Sequence, residues 1–167
     1  RVDTRVKVTG QAVFGIDVRL PGMLFAAVAR PPAWGGKVKA FRAEAARAVP
    51  GVRKVVEVPS GVAVVAESTW AAFQGREALG AEFEAGPNGS VDSAAIARRL
   101  ADPEGTLVPV RSEGDFGAAL AAAKRHVRAS YDFPFLAHAT MEPMNCTAAA
   151  GADGVDIWAP TQSPTWA

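Results

Sequence analysis

The chain has 167 residues, with 18 Lys and Arg against 17 Asp and Glu, and so a net charge of +1. That length allows one domain or two small ones, and the charge balance argues against a phosphate-tracking surface, which needs several unneutralised cations. The hydrophobic fraction of 49% is too high for disorder, and apolar runs such as Val62 to Ala66 fall far short of the ~20 residues of a membrane-spanning helix.

From the N-terminus, Thr9-Gly10 reads as a turn and Gln11 to Val18 as a strand, with Ala12, Phe14 and Ile16 on one face. Met23 to Ala29 is a short apolar strand ended by Pro31 and Pro32, which cannot donate to a ladder. Lys37 to Phe41 reads as a strand, and Ala-rich Arg42 to Ala48 as a helix that stops at Pro50-Gly51. Val52 to Val58 and Val62 to Ala66 form a valine hairpin around Pro59-Ser60-Gly61. Ser68 is an N-cap for a helix carrying Trp70 and Phe73 at helical spacing, with Gly80 as its C′ residue. Glu82 to Glu84 is a short strand.

Gly86 to Ser90 is the strongest break in the chain. Beyond it, Asp92 to Leu100 reads as a helix, Asp102 to Gly105 as a turn and Thr106 to Val110 as a strand. Ser112 to Asp115 has the spacing of a capping box, opening a helix through Lys124 with Phe116, Leu120 and Ala123 inward. Val127 to Phe133 alternates apolar and polar residues, as a half-buried strand does. Asn145 to Ala150 and Val155 to Ala159 form an antiparallel pair around Gly151 to Gly154. Mixed strands and helices with frequent hairpins favour the α+β class. Of the tryptophans, Trp70 and Trp158 are expected in the core and Trp34 at the surface.

Chemistry concentrates in His138-Ala139-Thr140-Met141-Glu142. On a helix this imidazole and carboxylate would share a face and could act as an acid–base or metal pair. Pro134 and Pro143 bracket the segment, and the spacing is not the HExxH of a zinc protease, so a salt-linked turn is the competing reading. Cys146, the single cysteine, excludes an intrachain disulfide and a thiolate-held zinc or iron–sulfur centre. With His138 or His126 beside it, Cys146 would be a candidate nucleophile. No GxGxxG or GxxxxGK[ST] occurs, so no phosphate cradle is expected.

Two blocks go further. The first runs Lys7-Val8-Thr9-Gly10-Gln11-Ala12-Val13-Phe14-Gly15-Ile16-Asp17, then Leu20-Pro21-Gly22-Met23-Leu24, Ala27 to Pro32 and Ala48-Val49-Pro50-Gly51-Val52. The second runs from Tyr131 to Ala148 through Ala137-His138-Ala139-Thr140-Met141-Glu142-Pro143-Met144-Asn145, followed by Ile157-Trp158-Ala159-Pro160-Thr161-Gln162-Ser163-Pro164. Together they resemble the large, molybdenum-binding subunits of the xanthine dehydrogenase and aldehyde oxidase family, and most of all the isoquinoline 1-oxidoreductase β-subunit type.

The resemblance implies an α/β-hammerhead domain over 1–85 and the start of a molybdopterin-binding domain over 91–167. It implies hydroxylation of aldehydes or N-heterocycles with water as the oxygen source, using molybdenum–molybdopterin cytosine dinucleotide. A small [2Fe-2S] subunit, and a cytochrome c as electron acceptor, are the implied partners. No nucleic acid and no transmembrane segment are expected, and the branch points to the periplasmic face of a bacterial inner membrane. Arg1 and Ala167 read as cut ends. The family's glycine-rich cofactor loop and late catalytic glutamate match no residues here, so the chain alone is expected to be inactive, with no catalytic residue and no metal ligand of its own. His138 and Glu142 match the family's HxxxE and Gln162 its TQ, which makes these three candidate residues of the cofactor-site wall. Alternatively, Glu142 fixes its loop by hydrogen bonds. Xanthine dehydrogenases carry glutamine where Leu136 stands. Leucine cannot donate a hydrogen bond, so purine oxidation is not expected. The rival functions are a non-catalytic interaction module of hammerhead architecture, docking through Trp34 and Pro31-Pro32, and a cysteine hydrolase built on Cys146 and His138.

Overall fold

A computed structural model describes residues 1–102, 105–106, 108–163 and 165. In chain order the elements are α1 (Thr4–Val8), a 3₁₀ turn (Gly15–Asp17), β1 (Phe25–Ala29), β2 (Lys37–Ala40), α2 (Ala43–Arg47), β3 (Val52–Val58), β4 (Gly61–Ala66), α3 (Thr69–Ala78) and β5 (Glu82–Glu84). There follow α4 (Ser93–Ala101), α5 (Phe116–Ala122), β6 (Thr147–Gly151) and β7 (Gly154–Trp158). The fold is α+β.

The valine hairpin is its centre. β4 pairs antiparallel with β3 on one side and β1 on the other, giving the order β1-β4-β3. β2 pairs with β5 in a separate ribbon, and β6 with β7 in another. An extra residue at Arg53 bulges β3, and its guanidinium pairs with Glu67 just past the end of β4. Bulges of this kind add local twist.

Helix α3 begins where Ser68 accepts a hydrogen bond from the Ala71 amide at 3.1 Å and ends at Gly80, whose φ of +50° suits a residue without Cβ. Its inner face inverts the sequence expectation. Ala71, Ala72 and Gly75 are buried, while Trp70 is 71% exposed and Phe73 lies on the outside, stacked under Arg76. The cause is closeness. A Cβ on Gly75 would lie 2.7 Å from Val64 Cγ1 and 2.8 Å from Val52 Cγ2. Only a small-residue face lets the helix approach the sheet this tightly, so the large aromatics are turned out. Trp158 is likewise exposed, and so is Trp34, as its place between prolines and glycines indicates. Leu79, Val62, Val64 and Ala46 are fully buried beneath α3 and α2.

Three further expectations are corrected. Gln11 to Val18 is not a strand: the Asp17 carboxylate accepts from the Phe14 amide at 3.0 Å and closes a turn, a local bond that competes with a ladder. Val127 to Phe133 is irregular and exposed, because alternation supplies a face but not the neighbouring strand that its backbone groups require. Helix α5 is capped by Asp115, which accepts from Ala118 at 2.9 Å, and not by Ser112. It ends at Ala122, and Phe116 stays outside. Ile96 and Leu100 do share α4, but no residue of that helix is buried. The expected turn at 102–105 and strand at 106–110 lie partly outside the described residues; 106 and 108–110 are not strand. Among the described residues after 90, Thr147 alone is buried.

Helix α1 carries an exposed Asp3–Lys7 ion pair. The hydrogen bond from Lys7, more than any other contact, holds the Asp3 carboxyl below its ordinary value of 3.8. Since the folded value is the lower one, the pair supports α1 at pH above 3.8 and ceases to do so as pH falls through the lowered value. Lys7→Ala is expected to move the Asp3 titration, followed by its carboxyl carbon shift, back up toward the ordinary range.

Candidate functional site

The segment from His138 to Asn145 contains no helix, so the HxxxE spacing does not place His138 and Glu142 on one helical face. Ala139 sits at φ +45°, a left-handed conformation unusual for a residue with a Cβ. The Thr140 hydroxyl donates to the Glu142 carbonyl at 2.8 Å, closing a short turn. That turn sends the Glu142 side chain toward the 3₁₀ turn near the N-terminus.

There the Ile16 amide donates to Glu142 Oε1 at 3.1 Å. Asn145 Nδ2 donates to the same oxygen at 2.9 Å and to the Pro143 carbonyl at 2.8 Å. Both acceptors fix which end of the Asn145 amide is nitrogen. Its Oδ1 is buried and finds no donor among the described residues. A Cβ on Gly15 would stand 2.9 Å from that oxygen, 3.1 Å from Pro160 Cδ and 3.2 Å from Glu142 Oε1. Three segments distant in sequence, at 15–16, 142–145 and 160, therefore meet at one point.

Of the three candidate wall residues, the structure gathers only Glu142 into this junction. His138 and Gln162 are exposed, and among the described residues neither side chain has a hydrogen-bond partner. Thr161 accepts from the Ser163 amide at 3.1 Å, which shapes the turn beside Gln162. Cys146 is exposed, and its thiol reaches the Thr147 carbonyl at 4.0 Å; His126 turns to the Leu120 carbonyl at 2.8 Å. No Cys–His hydrogen bond is found among the described residues, which leaves the hydrolase reading without its base. Asn145, Gly15 and Ile16 are the junction residues that spacing and composition do not single out. Their signal is indirect, since all three lie inside the two resembling blocks.

Over residues 101–167 the sequence matches the molybdopterin cofactor-binding domain family. The chain is 34% identical over 176 residues to the beta subunit of isoquinoline 1-oxidoreductase from Brevundimonas diminuta, an alignment covering 99% of this chain and 22% of the relative. It is 30% identical over 172 residues to a nicotinate dehydrogenase subunit of Pseudomonas putida, covering 98% of this chain and 14% of that protein. Among solved structures, quinoline 2-oxidoreductase from Pseudomonas putida 86 aligns with half of the chain, at a TM-score of 0.42 and 22% identity, covering 15% of that chain. By these matches the chain is similar, over nearly its whole length, to large subunits of molybdenum hydroxylases. It spans about a fifth of the first curated relative's length and about a seventh of the second's.

Proposed function

We propose that the chain is part of a bacterial molybdenum hydroxylase large subunit that oxidises N-heterocycles, or aldehydes, with water as the oxygen source. Residues 1–85 would form the hammerhead domain and 91–167 the opening of the molybdopterin-binding domain. The observation that carries this reading is the alignment of nearly the whole chain to an isoquinoline 1-oxidoreductase subunit. A small [2Fe-2S] subunit would take the electrons and pass them to a cytochrome c, and a periplasmic location at the inner membrane suits that route.

The described residues do not by themselves enclose a molybdopterin group. His138 and Gln162 offer their polar atoms on an open surface, and the cradle above Gly15 is already filled by Asn145 and Pro160. On this reading the chain contributes one wall, on which the Gln162 amide and the His138 ring can donate or accept hydrogen bonds. The exposure of nearly every apolar side chain after residue 90 supports the reading that this part packs against further protein.

On this reading the 167-residue chain, expressed alone, is expected to retain far less than one molybdenum per chain by mass spectrometry of the metal. The longer subunit, purified with its small partner, is expected to hold molybdenum stoichiometrically and to release CMP on acid hydrolysis. It should also reduce a dye in the presence of isoquinoline or nicotinate. Stoichiometric molybdenum in the short chain would overturn the one-wall reading, and a longer subunit devoid of molybdenum would overturn the proposed activity.

A further inference from the structure

We propose that Glu142 is a positioning residue whose carboxylate clasps the His138–Asn145 loop to the 3₁₀ turn at Gly15–Asp17, with Gly15 and Asn145 as its required partners. Geometry alone carries the clasp, independently of the proposed cofactor.

The turn is ready-made for this. Asp17 satisfies the Phe14 amide at 3.0 Å, and the Asp17 amide donates back to the Phe14 carbonyl at 2.9 Å. That leaves the Ile16 amide pointing away from the turn, and Glu142 Oε1 takes it at 3.1 Å. The loop is equally prepared. Thr140 and Asn145 each bond to the backbone of the Glu142-Pro143 pair, so the carboxylate is aimed before it meets the turn. A single oxygen accepts both the Ile16 amide and Asn145 Nδ2, and bonds to a charged acceptor are stronger than those between neutral groups.

Gly15 is the steric condition. A Cβ there would crowd Asn145 Oδ1 at 2.9 Å and press on Pro160 Cδ and Glu142 Oε1 at 3.1 and 3.2 Å. Asn145 is the directional condition, because its amide must give both protons to acceptors while its own oxygen goes unpaired among the described residues. An arrangement that leaves a buried acceptor unmet is retained only where the surrounding bonds over-determine it. The clasp spans 126 positions of sequence and is the hydrogen bond that anchors the otherwise exposed loop of His138. Glu142 thus acts by holding in place the loop that carries His138.

The test is hydrogen exchange of the Ile16 amide in the full chain, read by NMR together with the ring shifts of His138. Glu142→Ala is expected to accelerate Ile16 exchange about ten-fold or more, as loss of a bond to a charged acceptor should, and to shift the His138 ring resonances. Gly15→Ala and Asn145→Ala should do the same. Glu142→Gln keeps an acceptor oxygen but not its charge, and should fall between the native chain and Glu142→Ala in both readouts. The amides of Val62 and Val64 report whether each variant keeps its core. Should Gly15→Ala lose that core, the Glu142 pair still decides. Ile16 exchanging as fast in the native chain as in Glu142→Ala would overturn the proposal. So would a Glu142→Gln variant as perturbed as Glu142→Ala, because charge and not the clasp would then be what matters.

Discussion

Leu79→Ala is expected to destabilise the chain by about 2–5 kcal/mol, the range for emptying a leucine site in a packed core. Leu79 is fully buried at the end of α3, in one cluster with Ala46, Val62 and Val64. Its backbone is occupied independently of its side chain: the amide donates to the Gly75 carbonyl at 3.1 Å, and the carbonyl accepts from the Arg42 amide at 2.9 Å. The substitution therefore leaves the joint between α3 and α2 bonded and removes only packing. Urea denaturation should show a lower midpoint with an unchanged slope. The matched control is Phe116→Ala, which removes a larger side chain that is 78% exposed and should fall within about 0.5 kcal/mol of the native chain. Equal losses at the two positions would mean that the core does not lie between α3 and the valine sheet.

That contrast between Leu79 and Phe116 marks the boundary of what is legible in the sequence. Signals contained within a few residues hold in the structure: the valine hairpin, Ser68 as a cap, Gly80 as a stop, and the short strand at 82–84. Each depends on local backbone chemistry. Which face lies inside is another matter. Trp70 and Phe73 have helical spacing, and size alone suggests burial. The spacing is right, but the small side of the helix faces inward, since Gly75 and Ala71 allow an approach that Trp70 forbids. Periodicity shows that a helix has two faces; the depth of the groove it must fill decides between them. The strand expected at 127–133 fails for a related reason, as a pattern of side chains does not provide a hydrogen-bonding neighbour.

The candidate site is legible as two blocks and not as a junction. Resemblance marks Phe14-Gly15-Ile16-Asp17 and His138 to Asn145 separately. Nothing in local spacing links an amide at 16 to a carboxylate at 142. Spacing even points the wrong way, since an i,i+4 pair belongs to a helix, and Ala139 at φ +45° has no place in one. The irregular backbone is what frees Glu142 to reach across the chain and leaves His138 in solvent.

Gly61→Ala should cost the hairpin more than any other single methyl group in the fold. Gly61 opens β4 at φ +145°, and a Cβ there would lie 2.0 Å from the Ala29 carbonyl oxygen and 3.0 Å from its carbon. Both atoms are backbone at the end of β1, where Ala29 pairs with Val62. No rotamer can relieve the overlap, so β1 must be pushed off β4 or the turn must open. Strain at a glycine-only conformation alone costs about 1–3 kcal/mol, and here the displaced strand adds to it. Gly154 provides the separation of terms. It opens β7 at φ +153° but has nothing within 4 Å of its Cβ position. Gly154→Ala should therefore show strain without collision, felt as fraying of the exposed β6–β7 hairpin and not as a lower urea midpoint. Gly61→Ala should lower the midpoint and abolish amide protection along β1, from Ala26 to Val28, before that of β3. If the two variants lost protection only in their own turns, the close approach of β1 to the valine hairpin would be wrong. If β1 alone is released, the sheet is held from the β4 side, with α3 packed on the strands that remain.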